Sequence, residues 1–362
     1  MAPLNVAILG QGRSGRDIHG HFMLQDPERF RVAAVVEPLE ERRRRAEQEY
    51  GCPAFDSYHA LLDRRGIDLV VNAAPSHLHV PITLDLLEHG FDVLCEKPLA
   101  KRAGEVDALI AASQSAGRLL AIFQQSRFAP YFLKVREVIG SGVLGRIVQI
   151  SIAFSGFGRR WDWQTLQEYN GGSLLNTGPH PLDQALRLLN IDVNEVPTVR
   201  CWMDRAATLG DAEDFVKLIL SAPDRPLVDL EISSSDAYPG FTYKVQGTHG
   251  SLKATTSHAE WKYTLTDEAP AQRLTREPLF TAERTPAYCS ETLTWHEASW
   301  DLPAGTPLFD RMSRAFYDML YDAVTRGAPL EVTPQQVRQQ IAVIEECHRQ
   351  NPQIYAPVVY PV

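Results

Sequence analysis

Val6-Ala7-Ile8-Leu9-Gly10-Gln11-Gly12-Arg13-Ser14-Gly15 is the stretch on which the fold turns. A short apolar run leads directly into three glycines at GxGxxG spacing, and a helical pattern follows. Each glycine has a physical reading. Gly10 makes a tight turn, Gly12 lets the backbone approach a pyrophosphate, and Gly15 lets helix and strand pack closely. Arg13 and Ser14 open the helix, whose unpaired N–H groups and partial positive charge favour a phosphate. Alone, the motif marks many flexible turns, but its context is specific. Val32-Ala33-Ala34-Val35-Val36 is a second apolar run, and Glu37 closes it 22 residues after Gly15. A carboxylate there accepts ribose hydroxyls and repels a 2′-phosphate, which favours NAD over NADP. The Arg42–Arg45 run reads as a solvated helix face that leaves NADP as the lesser alternative.

Working outward, the same rhythm continues. Asp68-Leu69-Val70-Val71-Asn72-Ala73, Val93-Leu94-Cys95 and Leu119-Leu120-Ala121-Ile122-Phe123 are further apolar runs, with helical stretches at 39–50, 80–89 and 104–116 between the runs. Continuously apolar strands alternating with helices predict a doubly wound parallel sheet covered on both faces, a Rossmann domain over 1–126. After Arg127-Phe128-Ala129-Pro130 the pattern changes. A helix at 131–139 is followed by strands at 147–154, 199–203, 215–220, 228–233, 241–247 and 251–254, several alternating apolar with polar. Such alternation predicts an antiparallel sheet with one covered face, so 127–362 reads as an α+β substrate-binding and oligomerisation domain. A glycine-led helix at 171–189 interrupts the strands, and helices at 309–325 and 334–350 close the chain. No helix is evident to cover the sheet's second face. An exposed apolar face of that kind predicts a homodimer or homotetramer.

The 362 residues are 44% hydrophobic and 22% charged, which suits a globular protein and excludes a disordered or fibrous one. With 36 basic and 45 acidic side chains the formal charge is −9, which disfavours nucleic acid and anionic membranes as partners. No apolar run approaches the ~20 residues of a membrane span, and the N-terminus runs straight into a strand instead of a secretory leader. Five scattered cysteines without a CxxC pair indicate neither a disulfide framework nor a metal site, and point to the cytoplasm.

Two further clusters carry chemistry. Glu96-Lys97-Pro98 follows an apolar strand, at the carboxyl edge where open parallel sheets bind ligands. The X–Pro bond at Pro98 admits a cis form that would aim the lysine stem. In the second half, Asn176, His180 and Asp183 stand four and three residues apart, and on a helix they would share one face. Upstream, Arg159-Arg160-Trp161-Asp162-Trp163 offers flat aromatic faces for the C–H faces of a sugar ring and charged groups for its hydroxyls, so Trp161 and Trp163 join Asn176 and Asp183 as substrate contacts.

Five motifs in order resemble one family: Gly10-x-Gly12-x-x-Gly15, Ala74-Pro75-Ser76-x-x-His79, Glu96-Lys97-Pro98, Arg127-Phe128-x-Pro130, and the run Gly171-Gly172-Ser173 through Asp183. Together they resemble the Gfo/Idh/MocA oxidoreductases along essentially the whole chain. The resemblance implies a Rossmann domain followed by an α/β domain on an open antiparallel sheet, with Lys97 and His180 as the catalytic pair. It also implies that Ala74, Pro75, Ser76 and His79 line the cofactor, that Glu96 lies beside the nicotinamide, and that Arg127 contacts substrate or cofactor. Asn176 departs from the pattern, since many relatives carry Asp there. An amide accepts no proton, so the proton path runs through His180, Lys97 or water. The implied reaction is hydride transfer between NAD and a secondary alcohol of a sugar, glycoside or cyclitol. The alternatives are an NAD-retaining epimerase or eliminase, and a non-catalytic NAD-binding regulator.

Overall fold

A computed structural model describes residues 2–355. The apolar runs become β1 (Leu4–Leu9), β2 (Phe30–Val36), β4 (Leu69–Asn72), β5 (Val93–Cys95) and β6 (Leu120–Ile122), with a two-residue β3 (Ala54–Phe55) at the edge. All pair in parallel, in the order β3-β2-β1-β4-β5-β6. The strands are apolar without alternation because helices bury both faces: Val6, Ala7, Ile8 and Leu69 through Val71 have essentially no exposed surface. Strand order reverses between β1 and β4, which opens a crevice at their carboxyl ends.

The second sheet contains β7 (Ile147–Ser155), β8 (Thr198–Asp204), β9 (Phe215–Ser221), β10 (Leu227–Ser233), β11 (Tyr243–Gly247), β12 (Gly250–Ala254), β13 (His258–Tyr263) and β16 (His296–Asp301). A separate hairpin joins β14 (Leu279–Phe280) to β15 (Pro286–Ala287). The order of the eight-stranded second sheet is β16-β13-β12-β11-β7-β10-β9-β8. The sheet is mixed instead of wholly antiparallel. Two hairpin returns from the edge strand β8 bring β10 beside β7 in the same direction.

Helices Pro130–Gly140, Pro179–Leu189 and Pro334–Arg349 cover one face of this sheet. The other face is open, as the sequence predicts, but it is not the apolar surface expected. Lys217 pairs with Asp229 at 2.7 Å and Glu231 at 3.4 Å, and Lys253 pairs with Glu260 at 2.7 Å, so cross-strand charges make the face wettable. Trp202, 58% exposed, is its largest uncovered apolar side chain.

Two further features differ from the sequence reading. The helix predicted over 171–189 is broken into Ser173–Asn176 and Pro179–Leu189, because Pro179 lacks the N–H needed to continue a helix and favours starting one. Helix Leu308–Arg326 leaves the second unit and inserts Phe316, Tyr317 and Leu320 beside Val6, Ile8 and Phe123 of the first sheet. No helix among the described residues is long and apolar enough to cross a membrane.

A buried ion pair ties the two units. Arg127, in the turn Gln125–Phe128 after β6, donates from Nε to Asp183 Oδ2 at 2.6 Å and from Nη1 to the Glu331 carbonyl at 3.2 Å. Asp183 lies on helix Pro179–Leu189, and both side chains are buried. Removing one partner strands the other charge. Asp183→Asn should therefore cost about 3–5 kcal/mol of unfolding free energy, and a double Arg127→Met/Asp183→Leu variant should recover most of it. Urea denaturation of the two variants measures both.

Candidate active site

The site starts at the glycine turn. Gly10 sits at φ +86°, with its carbonyl facing Gly15, where an added Cβ would come within 1.8 Å of that oxygen. Gly12 is different. A Cβ there meets nothing nearer than Arg42 at 4.0 Å, so its backbone presents an open surface toward the crevice. Arg13 and Ser14 follow at the start of a wide-turned helix, Arg13–Gly20. Glu37, buried at the end of β2, accepts from the Gln11 N–H at 2.8 Å and the Leu39 N–H at 3.0 Å. The arginines after it are not simply a solvated face. Arg43 donates to the Glu37 carbonyl at 2.7 Å, Arg45 donates to the Gln11 carbonyl at 3.0 Å, and Arg42 stands 3.8 Å from the Glu37 carboxylate. These guanidiniums, Arg42 still exposed, reach the carbonyls and the carboxylate that the turn presents.

After β4, the segment Ala74, Pro75, Ser76 forms the next rim of the crevice. His79 lies beneath it and does not face the crevice. One ring nitrogen is 2.8 Å from the Ala74 carbonyl and the other 2.7 Å from the Pro98 carbonyl, so His79 clamps this rim to the turn bearing Lys97. The Lys97–Pro98 peptide is cis. Glu96 is buried. Burial pushes its carboxyl up, but the His19 hydrogen bond and the nearby charges of Lys97 and His79 prevail and hold it at about 2.

Lys97 reaches across to the second unit, where its Nζ donates to the main-chain carbonyl of Asn176 at 2.9 Å. The contact uses the backbone, so it does not depend on whether residue 176 is Asn or Asp. The carbonyl is held in place by Glu213, which accepts the Leu174 N–H at 2.7 Å at the start of helix Ser173–Asn176. Burial lowers the Lys97 amine below its ordinary 10.5. Glu96 opposes that shift, and Arg13 and Arg160 add to it. His180 opens helix Pro179–Leu189, with Nδ1 3.0 Å from Ser126 Oγ. Burial, then the charge of Lys97, lowers its imidazole to about 3, so the ring is neutral. Of the two, Lys97 is the group that holds a proton more readily.

The remaining sequence candidates divide. Trp163 (41% exposed) lies edge-on to Tyr169 at 6.2 Å, and Tyr169 meets His77 of the nucleotide unit at 4.9 Å. Trp161 is 77% exposed and caps nothing. Arg160 is paired with Asp162 at 3.0 Å. Arg127 and Asp183 satisfy each other in the buried ion pair, so the substrate contacts read from the sequence are not what their polar atoms do. His19, Ser126, Tyr169 and Asn170, whose amide donates to the Ser76 carbonyl at 3.4 Å, were missed. Of these only His19 had a signal, lying one helical turn after Gly15.

An open glycine turn at the switch point of a doubly wound sheet, with an acid ending β2, fits a dinucleotide. Lys97, in the turn after β5, reaches the second unit at the Asn176 carbonyl, and His180 opens a helix of that unit, an arrangement that suits a nucleotide-dependent oxidoreductase. Residues 4–124 match the oxidoreductase family with an NAD-binding Rossmann fold, and residues 132–253 match the GFO/IDH/MocA C-terminal domain. The chain belongs to the Gfo/Idh/MocA oxidoreductases, and NAD is its cofactor. It is 28% identical to inositol 2-dehydrogenase 2 of Saccharopolyspora erythraea, over 92% of this chain and 97% of that one. It is 27% identical to the 2,7-anhydro-N-acetylneuraminate hydratase of Mediterraneibacter gnavus, over 70% and 67%. The fold is similar to that of the WlbA dehydrogenase of Bordetella pertussis, solved with NADH and UDP-GlcNAcA, at a TM-score of 0.75 and 19% identity, covering 97% of this chain and 96% of that one.

Because Gly12 has room for a side chain only while the crevice is empty, Gly12→Ala should fold normally yet weaken NAD binding at least tenfold. Gly15→Ala should lower thermal stability as well. Calorimetric titration with NAD, beside thermal melts, separates the two effects.

Proposed function

We propose that the protein is an NAD-dependent dehydrogenase acting on a secondary alcohol of a sugar, glycoside or cyclitol, with Lys97 and His180 handling the hydroxyl proton. The observation that carries this reading is the 2.9 Å contact of Lys97 with the Asn176 carbonyl, which puts a primary amine at the junction of the two units beside a neutral imidazole. When bound, NAD supplies the acceptor for the carbinol hydrogen. The protein must then take the O–H proton. An imidazole held at about 3 retains a proton poorly, whereas the Lys97 amine is brought down from 10.5 toward the working range of a general base. Lys97 is therefore the acceptor. One of its N–H groups stays on Asn176 and its lone pair faces the alcohol, while His180, steadied by Ser126, orients the hydroxyl. Trp161, Trp163 and Tyr169 supply flat faces for a ring substrate, and Asn176 its side-chain amide.

A second reading, an enzyme that oxidises transiently and retains its NAD, draws support from the hydratase relative. Net NADH release with substrate distinguishes the two. A regulator that only binds NAD has no use for a tuned amine. The same proposal includes self-association through the open face of the second sheet, with Trp202 as the exposed apolar anchor among paired charges, and a cytoplasmic location, with which five unbridged cysteines accord. Light scattering of Trp202→Glu checks the first, with a fall in mass expected.

A polyol and glycoside screen followed by NADH absorbance tests the activity. With an active substrate, Lys97→Arg, which keeps the charge, should lose about 10²-fold or more in kcat. Since the deprotonated amine is the working form, the oxidation rate of the wild type should rise with pH through an apparent pKa below 10.5. A rate independent of pH up to that value would remove Lys97 from the role of base.

A further inference from the structure

Behind the turn that carries Lys97, a line of buried polar contacts leads away from the cleft. Glu96 Oε2 accepts the Lys97 backbone N–H at 3.0 Å, and Oε1 lies 3.2 Å from His19 Nε2. His19 Nδ1 in turn lies 2.6 Å from the Tyr317 hydroxyl. His19 and Tyr317 have no exposed surface. Tyr317 comes from helix Leu308–Arg326, and its ring stacks on Phe22 at 4.2 Å and meets Phe30 edge-on at 5.4 Å. An apolar core position therefore carries one hydroxyl, and that hydroxyl points at the base of the active site.

The contacts have a direction. Burial holds the Tyr317 phenol well above its ordinary 10, so it keeps its proton and donates. With the phenol donating, Nδ1 is the acceptor, and the ring proton lies on Nε2, facing Glu96. The carboxylate thus receives one donor on each oxygen and stays ionised despite its burial.

We propose that Tyr317 is a positioning residue of the active site: acting through His19, it fixes the Glu96 carboxylate and the turn that presents Lys97. This rests on the reading of Lys97 as the working base. The Lys97 amine is faced by Glu96 from its own turn, Arg13 from the helix after β1, Arg160 from the loop after β7, and His180 from helix Pro179–Leu189. Glu96 is the one anion among these, so loosening its anchor leaves the cations unopposed and moves Lys97 further down.

The first test uses the unliganded wild-type protein. Nitrogen-15 NMR of the histidines, with the His19 signal assigned by its loss in His19→Gln, should show Nδ1 as the accepting nitrogen and a proton on Nε2. A proton on Nδ1 would overturn the proposal. The second test uses Tyr317→Phe, which keeps the ring and its packing. Titration of carbon-13-methylated Lys97, assigned by its loss in Lys97→Arg, should move down, because the Glu96 anchor is loosened two contacts away. His19→Gln should move it likewise, and the rising limb of the kcat profile should follow in both variants, with NAD affinity within about twofold of wild type. A merely structural tyrosine would lower the melting temperature and leave the Lys97 titration where it was, and that result would sink the idea. The tautomer and the titration are read without turnover, so they stand or fall separately from the dehydrogenase assignment.

Discussion

A single amine donated across a domain junction organises this molecule. The Lys97 ammonium or amine is fixed at one end by the cis-proline turn after β5 and at the other by the Asn176 carbonyl. To meet, the carboxyl edge of a parallel sheet must face the glycine-led turn over a mixed sheet. The Arg127–Asp183 pair holds the two at that spacing, and Pro179, whose carbonyl accepts amides from Gln124 and Gln340, anchors the start of the histidine's helix. The elements around the cleft are thus cross-braced by polar contacts that only a closed, dry junction would reward.

The charges in the cleft are arranged so that few are free. Glu96 is an anion because donors and cations surround it. Lys97 is pulled toward neutrality because burial and two arginines outweigh that anion. His180 is neutral because it is buried beside Lys97. Each group's state follows from its neighbours.

The nucleotide half was legible because its physics is local. Continuous apolar runs, the glycine spacing and Glu37 each follow from short-range rules, and they placed β1, β2, β4 and the crevice without tertiary information. The second half was less legible where long-range contacts decide. Helix 171–189 read as continuous because Pro179 and Pro181 sit within a strong apolar periodicity, yet the missing N–H wins. Arg127 and Asp183 are 56 residues apart, and nothing in the chain says they will neutralise each other. The arginines after Glu37 looked solvated because a helical pattern alone does not reveal the carbonyls one turn away. β13 and β16 were missed although Ala259, Trp261 and Tyr263 alternate with Glu260 and Lys262, and Ala298 and Trp300 with Glu297 and Ser299.

The return of helix Leu308–Arg326 to the first sheet has a consequence during synthesis. Phe316 seats against Phe123, with ring centroids 4.9 Å apart, although it is made 193 residues later. At about 5–20 residues per second, the newborn nucleotide unit waits roughly ten to forty seconds with Phe22, Phe30 and Phe123 uncovered. The ribosome therefore delivers this half as a sticky, unfinished body whose seal arrives nearly last.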